Sequence, residues 1–221
     1  MIVSKVYKGD VEFTQGYKGT QLIFSSGRLP SQYQEVEYLQ STSTQHYTNY
    51  IDTGVTMTTD TILKMDFEFD STYPFTDWSR LYGTAMFEML GYDSLTNPHF
   101  RFGDYSNEWE YSDGFQYATK YHLEVGGGNV ILNGNTIHTY TPIAIDSYSL
   151  QIFTSHQDRD GCFKLYGCQI EENGVLLRDF VPCYIKDSIQ TPLWAIGLYD
   201  TVGEQFYHNL GTVPFLVGGN V

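Results

Sequence analysis

Three cysteines, Cys162, Cys168 and Cys183, are all that the 221 residues contain, and no two form a Cys-x-x-Cys pair. An odd number at such spacing argues against a disulfide framework and a thiolate zinc site, and predicts buried free thiols. Basic residues are scarce too: 12 Lys and Arg stand against 26 Asp and Glu, for a net charge of −14. That balance repels phosphate, so neither nucleic acid nor an anionic membrane surface is an expected partner. Its simplest consequence is solubility. No apolar run approaches the roughly 20 residues of a membrane-spanning helix, so no membrane insertion is expected. Met1-Ile2-Val3-Ser4-Lys5 opens no apolar export segment, and folding in a cytosol is expected.

Signatures of chemistry are missing as well. His46, His99, His122, His138, His156 and His208 are scattered, with no His-Glu-x-x-His pattern. There is no Gly-x-Ser-x-Gly elbow. Gly126-Gly127-Gly128-Asn129 lacks the Lys-Ser/Thr of a phosphate loop and reads as a hairpin turn. No long amphipathic helical pattern occurs. No catalytic residue, cofactor or metal follows from these features.

What is present is β-forming. Tyr (19), Phe (14) and Gly (21) are abundant, which suits strands joined by tight turns. Thr61 to Phe69 alternates strictly, with Leu63, Met65, Phe67 and Phe69 on one side and Lys64, Asp66 and Glu68 on the other. Phe100-Arg101-Phe102 and Tyr121 to Val125 repeat the pattern. Asn133-Gly134 between Val130-Ile131-Leu132 and Asn135 to His138 predicts a type I′ hairpin, and Asn173-Gly174 turns the chain into Val175-Leu176-Leu177. Further strands are expected at Tyr148 to Phe153, Phe163 to Ile170, Leu193 to Leu198 and Gln205 to Tyr207. Many short strands with Gly and Asn turns imply an all-β antiparallel sandwich or barrel.

The first 28 residues stand apart. Val6-Tyr7-Lys8-Gly9-Asp10 recurs as Gly16-Tyr17-Lys18-Gly19-Thr20, and each copy leads into an apolar piece ending on Phe13 or Phe24. Tyr-Lys-Gly reads as a strand entering a Gly turn. So small a set of hairpins buries little surface and needs a partner. Residues 1–28 are therefore expected to be an anchoring arm, with Tyr7, Gly9, Phe13, Tyr17, Gly19 and Phe24 as its key positions. Ser25-Ser26-Gly27-Arg28 reads as a linker into a domain over 29–221.

Two motifs carry a family resemblance. Leu29-Pro30-Ser31, Tyr33, Glu35-Val36-Glu37-Tyr38-Leu39-Gln40-Ser41-Thr42, Gln45, Tyr47 and Ile51-Asp52-Thr53-Gly54 form the first. Asn173-Gly174-Val175-Leu176-Leu177-Arg178-Asp179-Phe180-Val181-Pro182-Cys183, Gly197-Leu198-Tyr199-Asp200, Phe206-Tyr207 and Asn209 form the second. Together they resemble bacteriophage virion proteins with a concanavalin A-like (LamG-type) jelly roll. The resemblance implies a two-sheet antiparallel jelly-roll sandwich in a non-enzymatic structural protein, a capsid decoration, head-fibre or tail component assembled in the host cytoplasm. It implies other virion proteins as partners and self-association, a trimer being one form. The motif residues read as fold determinants: a strand over Tyr33 to Leu39, a sharp exit at Gly54, and a strand end at Pro182.

Candidate sites remain. Tyr105, Trp109, Tyr111, Phe115 and Tyr117 crowd one stretch with Asn107 and Asp113. Aromatic faces stack on sugar rings while carboxylates and amides bind hydroxyls, so Tyr105, Asn107, Trp109, Tyr111 and Asp113 form a candidate site for cell-surface glycans; core packing is the competing reading. Trp78 is a second position of this kind. Asp66, Glu68 and Asp70 share one strand face and invite comparison with glucanases, but Asp-x-Glu-x-Asp departs from the Glu-x-Asp-x-x-Glu pattern, and a solvated face is the expectation. Asp158, Asp160 and Asn173 offer oxygen ligands for calcium without an EF-hand spacing.

Overall fold

A computed structural model describes residues 3–8, 11–18, 21–26, 29–42, 48–70, 79–84, 87–92, 99–104, 109–111, 113, 115–142, 147–155, 159–188 and 192–221. The arm is a three-stranded antiparallel meander of β1 (Val3–Lys8), β2 (Val11–Lys18) and β3 (Gln21–Ser26), hydrogen-bonded as a sheet of its own. The repeat matches it: Lys8 pairs with Val11 and Lys18 with Gln21, so each Tyr-Lys stands at the end of a strand. Tyr7, Phe13, Tyr17 and Phe24 lie on these strands; Gly9 and Gly19 lie outside the described residues. Ser25 and Ser26 are not linker as expected. They extend β3 and pair with Gln15 and Thr14.

The rest of the chain runs β4 (Tyr33–Glu35), β5 (Leu39–Gln40), β6 (Ile51–Thr56), β7 (Thr61–Glu68), β8 (Ser79–Gly83), β9 (Phe87–Tyr92), β10 (His99–Asp104) and β11 (Trp109–Tyr111). It continues through β12 (Lys120–Gly126), β13 (Asn129–Leu132), β14 (Asn135–Thr139), β15 (Ser149–Ile152), β16 (Arg159–Asp160), β17 (Lys164–Glu172) and β18 (Val175–Ile185). After one helical turn, α1 (Pro192–Ala195), come β19 (Ile196–Asp200), β20 (Gln205–His208) and β21 (Leu216–Val217). Leu193 to Ala195 therefore belong to a helical turn rather than to the expected strand; Pro192 opens it, its fixed φ suiting the first helical position.

These strands form two sheets. The smaller has seven strands, in the order β11-β10-β9-β8-β15-β6 with β16 parallel to β8. The larger has eleven, in the order β14-β13-β12-β7-β17-β18-β19-β20, with β4, β5 and β21 attached. Their inner faces feed one apolar core: Ile51, Leu81, Tyr82, Leu150 and Ile152 from the smaller sheet, and Leu63, Met65, Phe67, Leu123, Leu165, Ile170, Phe180 and Leu198 from the larger. Phe67 is central, with rings of Phe69, Phe115, Tyr121 and Phe163 at 5.2–6.3 Å. The alternation of residues 61 to 69 is the physical cause: every second residue is buried, and Lys64, Asp66 and Glu68 lie on the outer face.

Both sides of the sandwich are closed. Trp109 on β11 stacks on His138 of β14 at 4.5 Å and 3°, joining the edges of the two sheets. On the opposite side Leu210 N donates to Tyr50 O (2.9 Å), Tyr50 N to Asn209 Oδ1 (3.1 Å) and Val213 N to Thr48 O (2.9 Å), which ties the chain after β20 to the entry into β6.

The hairpin turns follow their glycines. Asn133-Gly134 and Asn173-Gly174 both have positive φ at both positions, as type I′ requires. Two motif residues behave otherwise than expected. Gly54 does not end a strand; with φ +66° it sits inside β6, where two extra residues stand opposite β15 and Asp52 Oδ1 accepts from Gly54 N. Pro182 lies within β18. Strand β17 pairs β18 up to Phe180 and β4 pairs it from Cys183, so the missing N–H falls at the changeover, and the Pro182 carbonyl still accepts from Val36 N (3.0 Å). The strand expected over Tyr33 to Leu39 is broken into β4 and β5, which pair with different partners.

Candidate functional site

The outer face of the larger sheet carries a group of charged and hydrogen-bonding side chains. Three neighbouring strands supply them. Register places His122 beside Asp66 and Glu124 beside Lys64 on β12 and β7, and Lys164 beside Glu68 on β17 and β7. The pairs are made: His122 Nδ1 to Asp66 Oδ1 at 2.7 Å, Lys64 to Glu124 at 3.8 Å and Lys164 to Glu68 at 2.8 Å, with Lys64 closer still to Glu171, at 2.8 Å. Lys164 is also 3.5 Å from Asp70, whose Oδ2 accepts from Gln40 (3.2 Å). Asp66, Glu68 and Asp70 thus share a face, as the alternation demands, and each meets a nitrogen partner: the His122 ring, Lys164, or Lys164 with the Gln40 amide.

Tyr166 organises this face. Leu165 opposes Phe67 and Gly167 opposes Asp66, so Tyr166 is the extra residue of a β-bulge. Its hydroxyl donates to Glu68 Oε2 (3.0 Å), its ring meets Tyr38 edge-on at 5.5 Å, and Lys120 Nζ lies 3.7 Å above it. Burial, with the bond and charge of Glu68, pushes the Tyr166 phenol well above its ordinary pKa. Burial pulls the Lys164 ammonium down, but Glu68 and Asp70 outweigh it and its pKa rises.

Beside Tyr166 the face is hollowed. An open depression of about 370 Å³ is lined by Asp66, Lys120, Tyr121, His122, Asn133 and Tyr166. A second, of about 230 Å³, adjoins it over Gly167, Gln169 and Asp179 and shares Asp66, His122 and Tyr166. Asn133 is fixed as well as exposed, its Oδ1 accepting from His122 N (2.9 Å).

The expected glycan residues are arranged differently. Trp109 and Tyr111 share β11 but are half-buried against the core, and one face of Trp109 is covered by His138. Tyr111 packs on the fully buried Phe115, and Tyr117 also packs on the core. Asp113 is exposed; burial, then the charge of Asp113, raises the Tyr111 pKa. Tyr105, Asn107 and Trp78, with Gln45, Tyr47 and Asp158, lie outside the described residues. Sequence reasoning missed Tyr166, Lys120, His122 and Asn133 as a group, because a register across two distant strands brings them together. The one local sign was Gly167, since a glycine inside a strand marks a bulge.

All three cysteines are free and buried. Burial pushes the Cys183 thiol up to about 12 and the Cys168 thiol higher than its usual range. Among the described residues no three His, Cys, Asp or Glu side chains are placed to hold a metal ion. No helix among the described residues is long and apolar enough to cross a membrane. No protein-family model, curated protein or solved structure matches this chain.

Proposed function

We propose that this chain is a non-enzymatic structural protein of a bacteriophage particle, a capsid-decoration or head-fibre component that exposes a concanavalin A-like jelly roll and attaches through its N-terminal β arm. One observation supports the reading above others. The two motifs that carry the resemblance come from opposite ends of the domain, yet they meet as the neighbouring strands β4, β18, β19 and β20. Their side chains are committed to packing. Tyr33 stacks on Tyr199 and Phe206 at 4.9 and 5.3 Å, and Phe180 meets Tyr207 at 5.1 Å. Asp200, fully buried, accepts from the backbone N–H of Asp179 and Val202, while Asn209 holds Tyr50 and Gly211. Motifs built this way preserve a scaffold rather than a reactive centre.

The arm supplies the attachment. Three short strands bury too little surface to stand alone, so they take a partner. Within the arm's sheet β1 and β3 each pair on one side, and edge pairing to a shell protein adds directional hydrogen bonds. Self-association, as a trimer for example, multiplies each weak contact. Proteomics on density-purified particles tests the reading. The chain should be present at many copies per particle; its absence from particles whose host cells contain it would overturn the proposal.

A further inference from the structure

We propose that Asn173 is a site of spontaneous covalent modification, its amide converting through a cyclic imide to aspartate and isoaspartate, while Asn133, in a turn of the same type, is protected. This does not rest on the structural role proposed above.

The chemistry favours an asparagine followed by a glycine, because a residue without a Cβ lets its backbone nitrogen close most readily on the preceding side chain. Gly174 N, giving up its proton to hydroxide, bonds to Asn173 Cγ. The bond from Cγ to the amide nitrogen breaks, and ammonia leaves. Water then opens the ring at either carbonyl. Nothing is oxidised or reduced, and water is the sole co-reactant. Each event adds a negative charge to the hairpin joining β17 and β18. Opening to isoaspartate also routes the main chain through the side-chain carbon and lengthens the turn, so the modified fraction rises with the age of the folded chain.

The sequence holds two Asn-Gly pairs, and the backbone treats them alike. Both close two-residue hairpins, Leu132 facing Asn135 and Glu172 facing Val175. Each asparagine has φ +51°, and the glycines have +79° and +74°. Asn133, Gly134, Asn173 and Gly174 are all exposed, and the space beside both glycines is open. Neither glycine nitrogen donates a backbone hydrogen bond among the described residues.

The neighbouring strands differ. Asn133 has β12 beside it: its N donates to His122 O (2.8 Å) and its Oδ1 accepts from His122 N (2.9 Å), so the side chain takes the place of a ladder bond. Swinging Cγ onto Gly134 N breaks that bond and leaves the His122 amide without its acceptor. Asn173 lacks such a neighbour. Strand β7 begins at Thr61, opposite Glu172, one residue short of it. The Asn173 side chain makes no hydrogen bond among the described residues. It can therefore turn towards Gly174 N with no bond to break.

The test is peptide mapping by mass spectrometry on the full chain, sampled during warm incubation at mildly alkaline pH, with a second sample unfolded in urea. In the folded chain Asn173 should convert at least about fivefold faster than Asn133, the factor that one hydrogen bond of average strength gives. Unfolding should make the two rates nearly equal, because each asparagine then answers only to its own glycine. Gly174→Ala, with its fold checked by circular dichroism, should suppress conversion at Asn173 and leave Asn133 as it was. Asn173 still intact in the folded chain when the unfolded chain has converted, equal rates at the two positions in the folded chain, or a ratio that unfolding leaves unchanged would each overturn the proposal.

Discussion

Asp200→Ala should destabilise the fold more than any exposed substitution, for a reason visible in its surroundings. Its side chain is fully buried between β18 and the turn after β19. Oδ1 accepts from Asp179 N at 3.0 Å and Val202 N at 3.1 Å, and Oδ2 lies 3.5 Å from Arg178 Nε. Alanine strips the acceptor from two backbone donors. A buried donor left without a partner costs about 1–3 kcal/mol. Val202 is exposed enough for water to serve its amide, so the sum falls to about 2–4 kcal/mol rather than the full doubled range. For a chain of this size that is a drop in Tm of roughly 4–16 °C. Urea unfolding followed by tryptophan fluorescence measures it, with an unchanged slope certifying that stability alone has moved. Asp200→Asn keeps one carbonyl acceptor and should lose only about half as much. A loss below about 1 kcal/mol for Asp200→Ala would refute the argument that this motif residue holds the turn.

Other consequences are as direct. Gly197→Ala places a Cβ 2.1 Å from Tyr207 O and should cost more than about 3 kcal/mol, whereas Gly134→Ala meets open space and pays only the strain of φ +79°, about 1 kcal/mol; equal losses in urea unfolding would contradict the packing of β19 on β20. Cys168 and Cys183 should resist a thiol reagent at pH 8 in the native protein and react at once in urea, and fast native labelling of either would show that burial is not what raises them. Tyr111, Tyr166 and Tyr199, raised chiefly by burial, and Lys164, raised by Glu68 and Asp70 against the pull of burial, all bind protons more tightly when folded. Their contribution is complete below the ordinary values of 10.0 and 10.5 and is lost as pH rises through the folded ones, so the urea midpoint should fall above pH 10.0; a flat profile would contradict the shifts.

Much of the fold was legible because it is written in local periodicity. Residues 61 to 69 alternate, and they form the central strand β7 with its inward face buried. Asn133-Gly134 and Asn173-Gly174 named their own turns. Less legible were features set by distant partners. Gly54 looks like a strand exit until β15 is placed opposite it, and Pro182 looks like a terminator until β17 and β4 are seen to change over beside it. The candidate site failed to show for the same reason. Trp109 and its neighbours crowd together in sequence, but their rings are spent on Phe115, His138 and the core. Tyr166, His122, Lys120 and Asn133 are spread over β12, β17 and the turn after β13, and the β7–β12, β7–β17 and β12–β13 registers bring them together.

The measurement that bears most directly on the proposed role is incorporation of a chain lacking residues 1–27 into assembling particles, scored beside the full-length protein. The truncated chain should keep a β-rich circular dichroism spectrum and a cooperative unfolding transition, yet be missing from purified particles. A truncated chain that enters particles at full-length levels would contradict attachment through the arm.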